Sequence, residues 1–274
     1  MAIKWAEVSK DSSQVIIELS NGHKIGSELT IIAGPCAVES YEQLLETAKI
    51  VSLAGANVLR AGAFKPRTSH KDFEGHGEEG LKLLSKIRDE LGLPFVTEIM
   101  DQEDIPLFQK YNVDIYQVGA RNCQNFRLLD ALSKIDKPVL LKRGSTVSFD
   151  EFMNCAARVY RGNKKVILCE RGDKSFDKAY RNILNLNDVA NMKLKSCLPV
   201  IVDPSHGTGV RELVIPLSCA GIASGADGVM VEVHCNPSEA LCDGAQSINE
   251  EINELVDKIK KVYSSSSRVS DSGE

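Results

Sequence analysis

The 274-residue chain lacks the features that would place it in a membrane, outside the cell or on nucleic acid. Its longest apolar runs are far too short to span a bilayer, and residues 1–30 contain no apolar core of the kind that a secretory signal needs. The net charge is −5, so no general attraction to nucleic acid or to an anionic membrane surface is expected. These absences predict a cytoplasmic protein with no nucleic-acid and no membrane partner.

Two further patterns are missing. The eight cysteines form no C-x-x-C pair, and in a chain of this length without an export signal they are predicted to be reduced thiols, most of them small core residues. No G-x-G-x-x-G follows the first predicted strand, which argues against an open dinucleotide-binding sheet.

Eight runs rich in Val, Ile and Leu alternate with segments of helical periodicity, as expected for buried parallel strands joined by helices. Capping-box patterns at Ser40, Ser148 and Ser247 predict three of the helix starts. Eight β-α units predict an α/β fold, a (β/α)8 TIM barrel, with an open doubly wound sheet as the alternative. The predicted strands are residues 30–33, 57–60, 94–98, 114–118, 138–142, 165–170, 199–203 and 228–233.

Three regions are predicted. Residues 1–29 form an N-terminal hairpin extension that either plugs the bottom of the barrel or makes an oligomer contact. Residues 30–263 form the barrel catalytic domain, and the serine-rich residues 264–274 form a disordered tail. No linker marks a second domain.

Cations cluster at the predicted carboxyl ends of the strands, where barrel enzymes place their chemistry. The segment 59–69, LRAGAFKPRTS, supplies three of them beside the hydroxyls of Thr68 and Ser69. In an acidic protein, cations gathered at a partly desolvated mouth predict a polyanionic substrate with phosphate or carboxylate groups. The set is Arg60, Lys65, Arg67, Arg121, Lys142 and Arg171.

A second set at the same strand ends combines a thiol, an imidazole and two carboxylates: Cys36, His206, Glu232 and Asp243. Such mixed ligands suit one borderline divalent ion, namely Mn, Fe, Co or Zn, which would act as a Lewis acid on a carbonyl.

Several roles stay open at this point. Lys142 would bind an anion or act as an imine-forming nucleophile, and Glu98 would position water or pair with a neighbouring arginine. A catalytically inactive barrel used as a binding subunit is the alternative from another class, and its mark would be the loss of a ligand or cation.

Seven motifs in order resemble 3-deoxy-D-arabino-heptulosonate 7-phosphate (DAHP) synthase of the type I beta kind. They are AGPCAVES, LRAGAFKPRTS, VGARNCQNF, PVLLKRG, ILCERG, PVIVDPSHGTG, and MVEVH with CDGAQS. The resemblance implies a transferase that condenses phosphoenolpyruvate with erythrose 4-phosphate and water to give DAHP and phosphate. That reaction is the first step of the shikimate pathway of aromatic amino acid biosynthesis. It also implies a homotetramer or homodimer. The family often carries an N-terminal regulatory domain, and the thirty residues before Ile31 are too few for one, so none is expected here.

The resemblance also implies roles for the individual residues. Cys36, His206, Glu232 and Asp243 would be the metal ligands. Arg121 and Lys142 would bind the phosphate of phosphoenolpyruvate, without an imine, and Arg60, Lys65 and Arg171 its carboxylate. Arg67, Thr68 and Ser69 would bind the phosphate of erythrose 4-phosphate, and Glu98 would hold the attacking water. The expected catalytic residues are Lys65, Glu98, Lys142 and His206.

A related enzyme, 3-deoxy-D-manno-octulosonate 8-phosphate synthase, uses arabinose 5-phosphate and is the alternative. Residues 65–69, KPRTS, resemble the heptulosonate enzyme, whereas the octulosonate enzyme has a KANRSS-like stretch there. Cys36 is similar to the cysteine of the metal-dependent branch, because the relatives that need no metal carry Asn at this position. Residues 70–73, HKDF, depart from the usual Pro-Tyr-Ser-Phe-like continuation, which bears on the specificity for the aldehyde.

Overall fold

Eight buried strands close into a parallel barrel in a computed structural model that describes residues 5–10, 12–66, 71 and 73–267. A short antiparallel hairpin, β1 (Ile17–Glu18) and β2 (Lys24–Ile25), precedes the barrel. The barrel strands are β3 (Thr30–Gly34), β4 (Val58–Arg60), β5 (Phe95–Ile99), β6 (Ile115–Val118), β7 (Val139–Lys142), β8 (Val166–Glu170), β9 (Val200–Val202) and β10 (Gly228–Glu232). Each pairs with the next along the chain, and β10 returns to β3 with Gly228 opposite Thr30. The predicted TIM barrel is therefore confirmed.

Helices follow the barrel strands, as a right-handed strand–helix–strand repeat requires. They are α1 (Tyr41–Ala54), α2 (Glu78–Leu91), α3 (Ile105–Lys110), α4 (Phe126–Leu132), α5 (Phe149–Tyr160), α6 (Leu186–Lys195), the single-turn α7 (Pro204–Thr208), α8 (Val214–Ala223) and α9 (Glu251–Ser267). The polar stretch 172–198 contains α6 after a long loop, as predicted. Among the described residues, no helix has the length and apolar character needed to cross a membrane.

The hairpin seals one end of the barrel. Ile17, Leu19 and Ile25 are buried and join the cluster of side chains inside the barrel. His23 fixes the hairpin by bonding through Nε2 to Thr30 Oγ1 at the start of β3, 2.9 Å away. Because Thr30 begins its strand, the hairpin lies at the amino-terminal end of the barrel. The plug predicted for this segment is present, and the carboxyl end of the barrel stays open.

Two of the three helix starts follow the sequence pattern. Ser148 and Glu151 form a reciprocal capping box at α5, and the Ser40 hydroxyl accepts from Gln43 N at α1. The third prediction is wrong, because Ser247 is buried and donates to Asp243 O, and α9 begins only at Glu251.

The last helix is longer than predicted. α9 continues to Ser267, so the predicted start of the tail at residue 264 is too early. The hydroxyls of Ser264, Ser265 and Ser266 donate back to the carbonyls of Lys260 and Val262, a local bonding pattern that keeps serine compatible with a helix end. Residues 268–274 of the predicted tail lie outside the described residues.

Candidate active site

The carboxyl end of the barrel carries one cavity lined by five of the six predicted cations. Arg60 ends β4, Lys142 ends β7, and Arg171 comes directly after β8. Arg121 lies in the turn after β6, and Lys65 in the loop after β4. The wall also includes Pro66, Glu98, Gln117, Gly119, Ala120, Arg181, His206 and Asp243.

Successive side chains at the end of a strand point to opposite faces of the sheet, so neighbouring charged residues at the ends of β7 and β8 lie on different sides of the barrel wall. Lys142 and Arg171 line the cavity, whereas their neighbours Arg143 and Glu170 do not. Instead Arg143 Nε and Nη2 donate to Glu170 at 2.5 and 3.0 Å, with both side chains buried. Arg143 also pairs with Asp173 at 2.5 Å. The ends of β7 and β8 are therefore bound together behind the cavity wall.

The four predicted metal ligands lie together beside the cations. The ligand atoms of Cys36, Glu232 and Asp243 lie within 4.8 Å of one another and could hold a metal ion. Cys36 Sγ lies 3.3 Å from Asp243 Oδ2. His206 Nε2 lies 3.3 Å from Glu232 Oε1 and 3.8 Å from Asp243 Oδ2. One thiol and two carboxylates thus form a compact group, with the imidazole of His206 next to both carboxylates, and these donor types suit a divalent ion of the borderline class.

The protonation of this group is set by burial and by its neighbours. A hydrogen bond with Cys242, burial and the charge of Glu232 raise the pKa of the Cys36 thiol. Burial lowers the pKa of His206 and so favours the neutral imidazole. For Asp243, burial is outweighed by His206 and Arg181, which hold its pKa at about 2. The Cys36 thiol therefore resists ionisation, and two carboxylates lie beside it. A bound cation would offset the negative charge of these carboxylates and would favour the thiolate.

Asp203 orients the imidazole, a role that the sequence did not reveal. Its Oδ1 accepts from His206 N at 3.0 Å, and its Oδ2 accepts from His206 Nδ1 at 2.8 Å. This leaves Nε2 as the free acceptor facing Glu232 and Asp243, which is the tautomer that a metal-binding histidine needs. His206, Lys142 and Arg60 hold the pKa of Asp203 well below its usual range despite its burial.

The loop that carries Asp243 is held in place by hydrogen bonds to residues from other parts of the barrel. Asp243 adopts a left-handed backbone conformation, with φ of 53°. Leu241 N donates to Glu39 Oε1 at 2.9 Å, and the Gln246 amide donates to Glu232 Oε2. Gln246 is a second supporting residue that the sequence reasoning missed, although it lies within the CDGAQS motif.

The cations differ in their protein partners. Arg60 donates to Glu232 Oε1 at 2.8 Å, Lys65 to Cys36 Sγ at 3.1 Å, and Lys142 to Asp203 Oδ2 at 2.5 Å. Arg121 and Arg171 have no hydrogen bond or ion pair to any residue that the structure describes. Arg171 is nevertheless 7% exposed, and burial lowers its pKa. A largely buried guanidinium that has no ion-pair or hydrogen-bond partner among the described residues is suited to an anionic ligand in this part of the cavity.

Glu98 faces the cavity from β5. Its Oε2 accepts from Gln117 Nε2 at 3.4 Å, and within the described part of the chain it has no ion pair with an arginine. Gly119 makes room for it, since a Cβ at that position would lie 1.8 Å from Glu98 Oε1. Gln117 and Arg181 are cavity residues that the sequence reasoning did not single out. Arg67, Thr68 and Ser69, predicted to bind the second phosphate, lie outside the described residues.

A TIM barrel whose open end joins a cationic cavity to a candidate metal site defines a class of enzymes that act on anionic substrates. Comparison with known proteins gives the family. Residues 13–267 match the model of the DAHP synthetase I family, and the chain belongs to that family.

Three relatives illustrate the likeness. The phospho-2-dehydro-3-deoxyheptonate aldolase of Thermotoga maritima is 49% identical over 90% of this chain and 72% of its own length. A crystal structure of the Thermotoga maritima DAHP synthase superposes with a TM-score of 0.89 at 48% identity, covering 94% of this chain and 76% of that one. A 2-dehydro-3-deoxyphosphooctonate aldolase of Desulfotalea psychrophila is 35% identical over 90% of this chain and 96% of its own length.

Proposed function

We propose that this chain condenses phosphoenolpyruvate with erythrose 4-phosphate and water, giving DAHP and inorganic phosphate. The observation that carries the proposal is the junction of two sites. The cavity of Arg60, Lys65, Arg121, Lys142 and Arg171 opens directly onto the group of Cys36, His206, Glu232 and Asp243. One site can hold a small polyanion next to the other, where a carbonyl can be polarised.

The cations orient phosphoenolpyruvate. Arg121 and Lys142 bind its phosphate, while Arg60, Lys65 and Arg171 lie towards its carboxylate. Each guanidinium offers paired donors that match these planar or tetrahedral anions. Holding a trianion in one orientation beside a second phosphorylated substrate is the main catalytic task, because both reactants would otherwise repel each other.

The donor set fits one divalent ion, bound by Cys36, His206, Glu232 and Asp243, with Asp203 fixing the His206 tautomer. Such an ion supplies Lewis acidity to the aldehyde carbonyl.

In the proposed reaction, C3 of phosphoenolpyruvate forms a bond to the aldehyde carbon, whose oxygen takes up a proton. Water, held by Glu98, adds to C2 and loses a proton, which leaves a hydroxyl group on C2. The bond between C2 and the bridging oxygen then breaks, and that oxygen leaves with the phosphate. The C2 hydroxyl gives its remaining proton to the departing phosphate and becomes the ketone carbonyl. Lys142 acts as an anion binder and forms no imine, and its Nζ donates to Asp203 Oδ2 at 2.5 Å.

The decisive experiment exchanges the aldehyde. Metal-loaded protein is incubated with phosphoenolpyruvate and either erythrose 4-phosphate or arabinose 5-phosphate, and phosphate release is measured. Turnover with erythrose 4-phosphate is expected. Turnover with arabinose 5-phosphate alone would reject the proposal in favour of the octulosonate reaction, which the 35% identical relative from Desulfotalea psychrophila makes the second candidate.

Cys36→Ala tests the metal ligands. The variant is expected to keep its fold, to bind less than a tenth of the divalent metal after dialysis, and to lose its metal-dependent turnover. Cys219→Ala on α8 is the matched control, since Cys219 is a free, half-buried thiol that does not line the cavity. Normal metal content in Cys36→Ala would remove Cys36 from the site.

A further inference from the structure

A second recess opens beside the proposed phosphoenolpyruvate cavity and shares four of its residues. Ala120, Arg121, Arg171 and Arg181 line both spaces. The recess extends away from the candidate metal site and is completed by Gln124, Gly144, Ser145, Thr146, Val147, Lys174 and Asn182.

The walls of this recess are fixed by the fold. The turn after β7 and the loop after β8 are joined by a hydrogen bond from Lys174 N to Ser145 O, at 2.8 Å. Arg143 holds the same turn from behind by donating to Val147 O at 2.7 Å. Arg181 N donates to Thr208 O at 2.7 Å, which anchors the far end of the loop. Hydrogen bonds therefore fix the backbone of the segments that form the recess.

The charge of the recess is strongly one-sided. Four cations line it, namely Arg121, Arg171, Lys174 and Arg181, and none of its described lining residues is acidic. Among the residues that the structure describes, Arg181 alone of these four forms an ion pair, with Asp243 at 3.4 Å. In a protein of net charge −5 this is a local excess of positive charge, and Arg171 contributes to it while almost fully buried.

Further hydrogen-bond donors, two neutral and one charged, complete the surface. The hydroxyls of Ser145 and Thr146 and the ammonium group of Lys174 have no hydrogen-bond partner among the described residues. Hydroxyl and ammonium donors beside guanidinium groups form a set that suits a phosphate dianion, which accepts several charge-assisted hydrogen bonds at once.

We propose that this recess is an outer anion subsite that binds the inorganic phosphate released by the reaction, with Lys174, Ser145 and Thr146 as ligands. The inference rests on the proposed function, in which inorganic phosphate is a product that is released next to this recess. Arg121 and Arg171 line both spaces, so phosphate keeps a cationic partner as it moves outward.

Phosphate binding without turnover tests the subsite. The protein is saturated with phosphoenolpyruvate, no aldehyde is added, and radiolabelled inorganic phosphate is titrated by equilibrium dialysis. The wild-type protein is expected to bind one phosphate, and Lys174→Gln is expected to weaken that binding about tenfold, as for one lost charge-assisted hydrogen bond. Lys178→Gln is the matched control, since Lys178 is an exposed lysine of the same loop that lines neither space.

A kinetic measurement adds a second readout. Phosphate is expected to inhibit turnover noncompetitively with phosphoenolpyruvate. Lys174→Gln should raise the inhibition constant about tenfold and leave the KM for phosphoenolpyruvate within about twofold of wild type.

Two results would overturn the subsite. One is complete displacement of phosphate by phosphoenolpyruvate, and the other is equal phosphate affinity in Lys174→Gln and Lys178→Gln. Neither depends on the aldehyde exchange, so failure of the subsite and failure of the proposed function are separate outcomes.

Discussion

Asp203 contacts both a proposed metal ligand and a proposed substrate cation. It is fully buried, accepts from His206 Nδ1 at 2.8 Å and pairs with Lys142 at 2.5 Å. A carboxylate in this position fixes the imidazole and raises its basicity as a ligand. The candidate metal site is therefore supported by a residue that is not one of its proposed ligands.

Asp203→Asn should raise the metal dissociation constant about 10- to 100-fold, because the amide keeps the cap on α7 but stabilises the imidazole less. Titration calorimetry on protein stripped of metal measures this. Asp177→Asn serves as control, since Asp177 is exposed and accepts only from the local backbone. Unchanged affinity in Asp203→Asn would show that His206 needs no such support.

Arg143 and Glu170 connect two neighbouring strands of the barrel. Their buried ion pair joins β7 to β8 directly behind Lys142 and Arg171, and Gly172 N and Asn185 N also donate to Glu170. Burial raises the pKa of Glu170, so its charge depends on this partner. Removing the guanidinium would leave a buried carboxylate without its cation.

Arg143→Met is therefore expected to lower the free energy of unfolding by about 3–5 kcal/mol, measured by urea denaturation. Arg161→Met should cost less than about 1 kcal/mol, because Arg161 pairs with Asp130 at 3.4 Å on the surface. Adding Glu170→Gln to Arg143→Met should recover part of the loss. Equal stability of the two single variants would contradict this account of the strand junction.

The hairpin of β1 and β2 carries a pH-dependent contribution. Burial lowers the pKa of His23 below its usual value of 6.5, although Glu28 opposes the shift. As the pH falls through 6.5, the unfolded chain takes up a proton that the folded ring resists, so stability declines; well above 6.5 the effect vanishes. Between pH 7 and pH 5 the melting temperature should fall less in His23→Asn than in wild type. If the melting temperature fell equally with pH in the two proteins, His23 would not be the source of the pH dependence.

The strands and their order could be predicted from the sequence, since each is an apolar run bounded by turn residues. The boundaries of α9 could not. Ser247 fits a capping box locally, but its hydroxyl bonds to Asp243 O because the loop folds back on the site. Similarly, the sequence placed Asp203 at a strand end without a role, because its partners Lys142 and Arg60 come from other strands.

Across the whole molecule, the sequence predicted that the substrate cations and the metal ligands lie together at the carboxyl end of the barrel. It did not predict which cation bonds to which ligand. In the structure Arg60 bonds to Glu232, Lys65 to Cys36, and Lys142 to Asp203. Each pair joins a proposed substrate cation to a metal ligand or its support, whereas Arg121 lacks such a partner in the described chain. Such pairing depends on side-chain positions that no sequence pattern encodes.

These pairs predict that metal and phosphoenolpyruvate binding are coupled. A divalent ion held by Glu232 and Cys36 would compete with Arg60 and Lys65 for these two residues and would leave both cations available to the substrate. Adding Mn(II) should therefore tighten phosphoenolpyruvate binding about tenfold, and phosphoenolpyruvate should tighten Mn(II) binding by the same factor, since coupling between sites is reciprocal. Calorimetric titration of each ligand, with and without the other, measures both factors in the absence of aldehyde.

Two variants separate the causes of the coupling. Arg60→Gln should reduce the coupling factor. Arg121→Gln should weaken phosphoenolpyruvate binding and leave the factor unchanged, because Arg121 is not bonded to a proposed metal ligand in the described chain. If both variants reduce the factor equally, the coupling is a general attraction between cation and anion and does not arise from the exchange of these pairs.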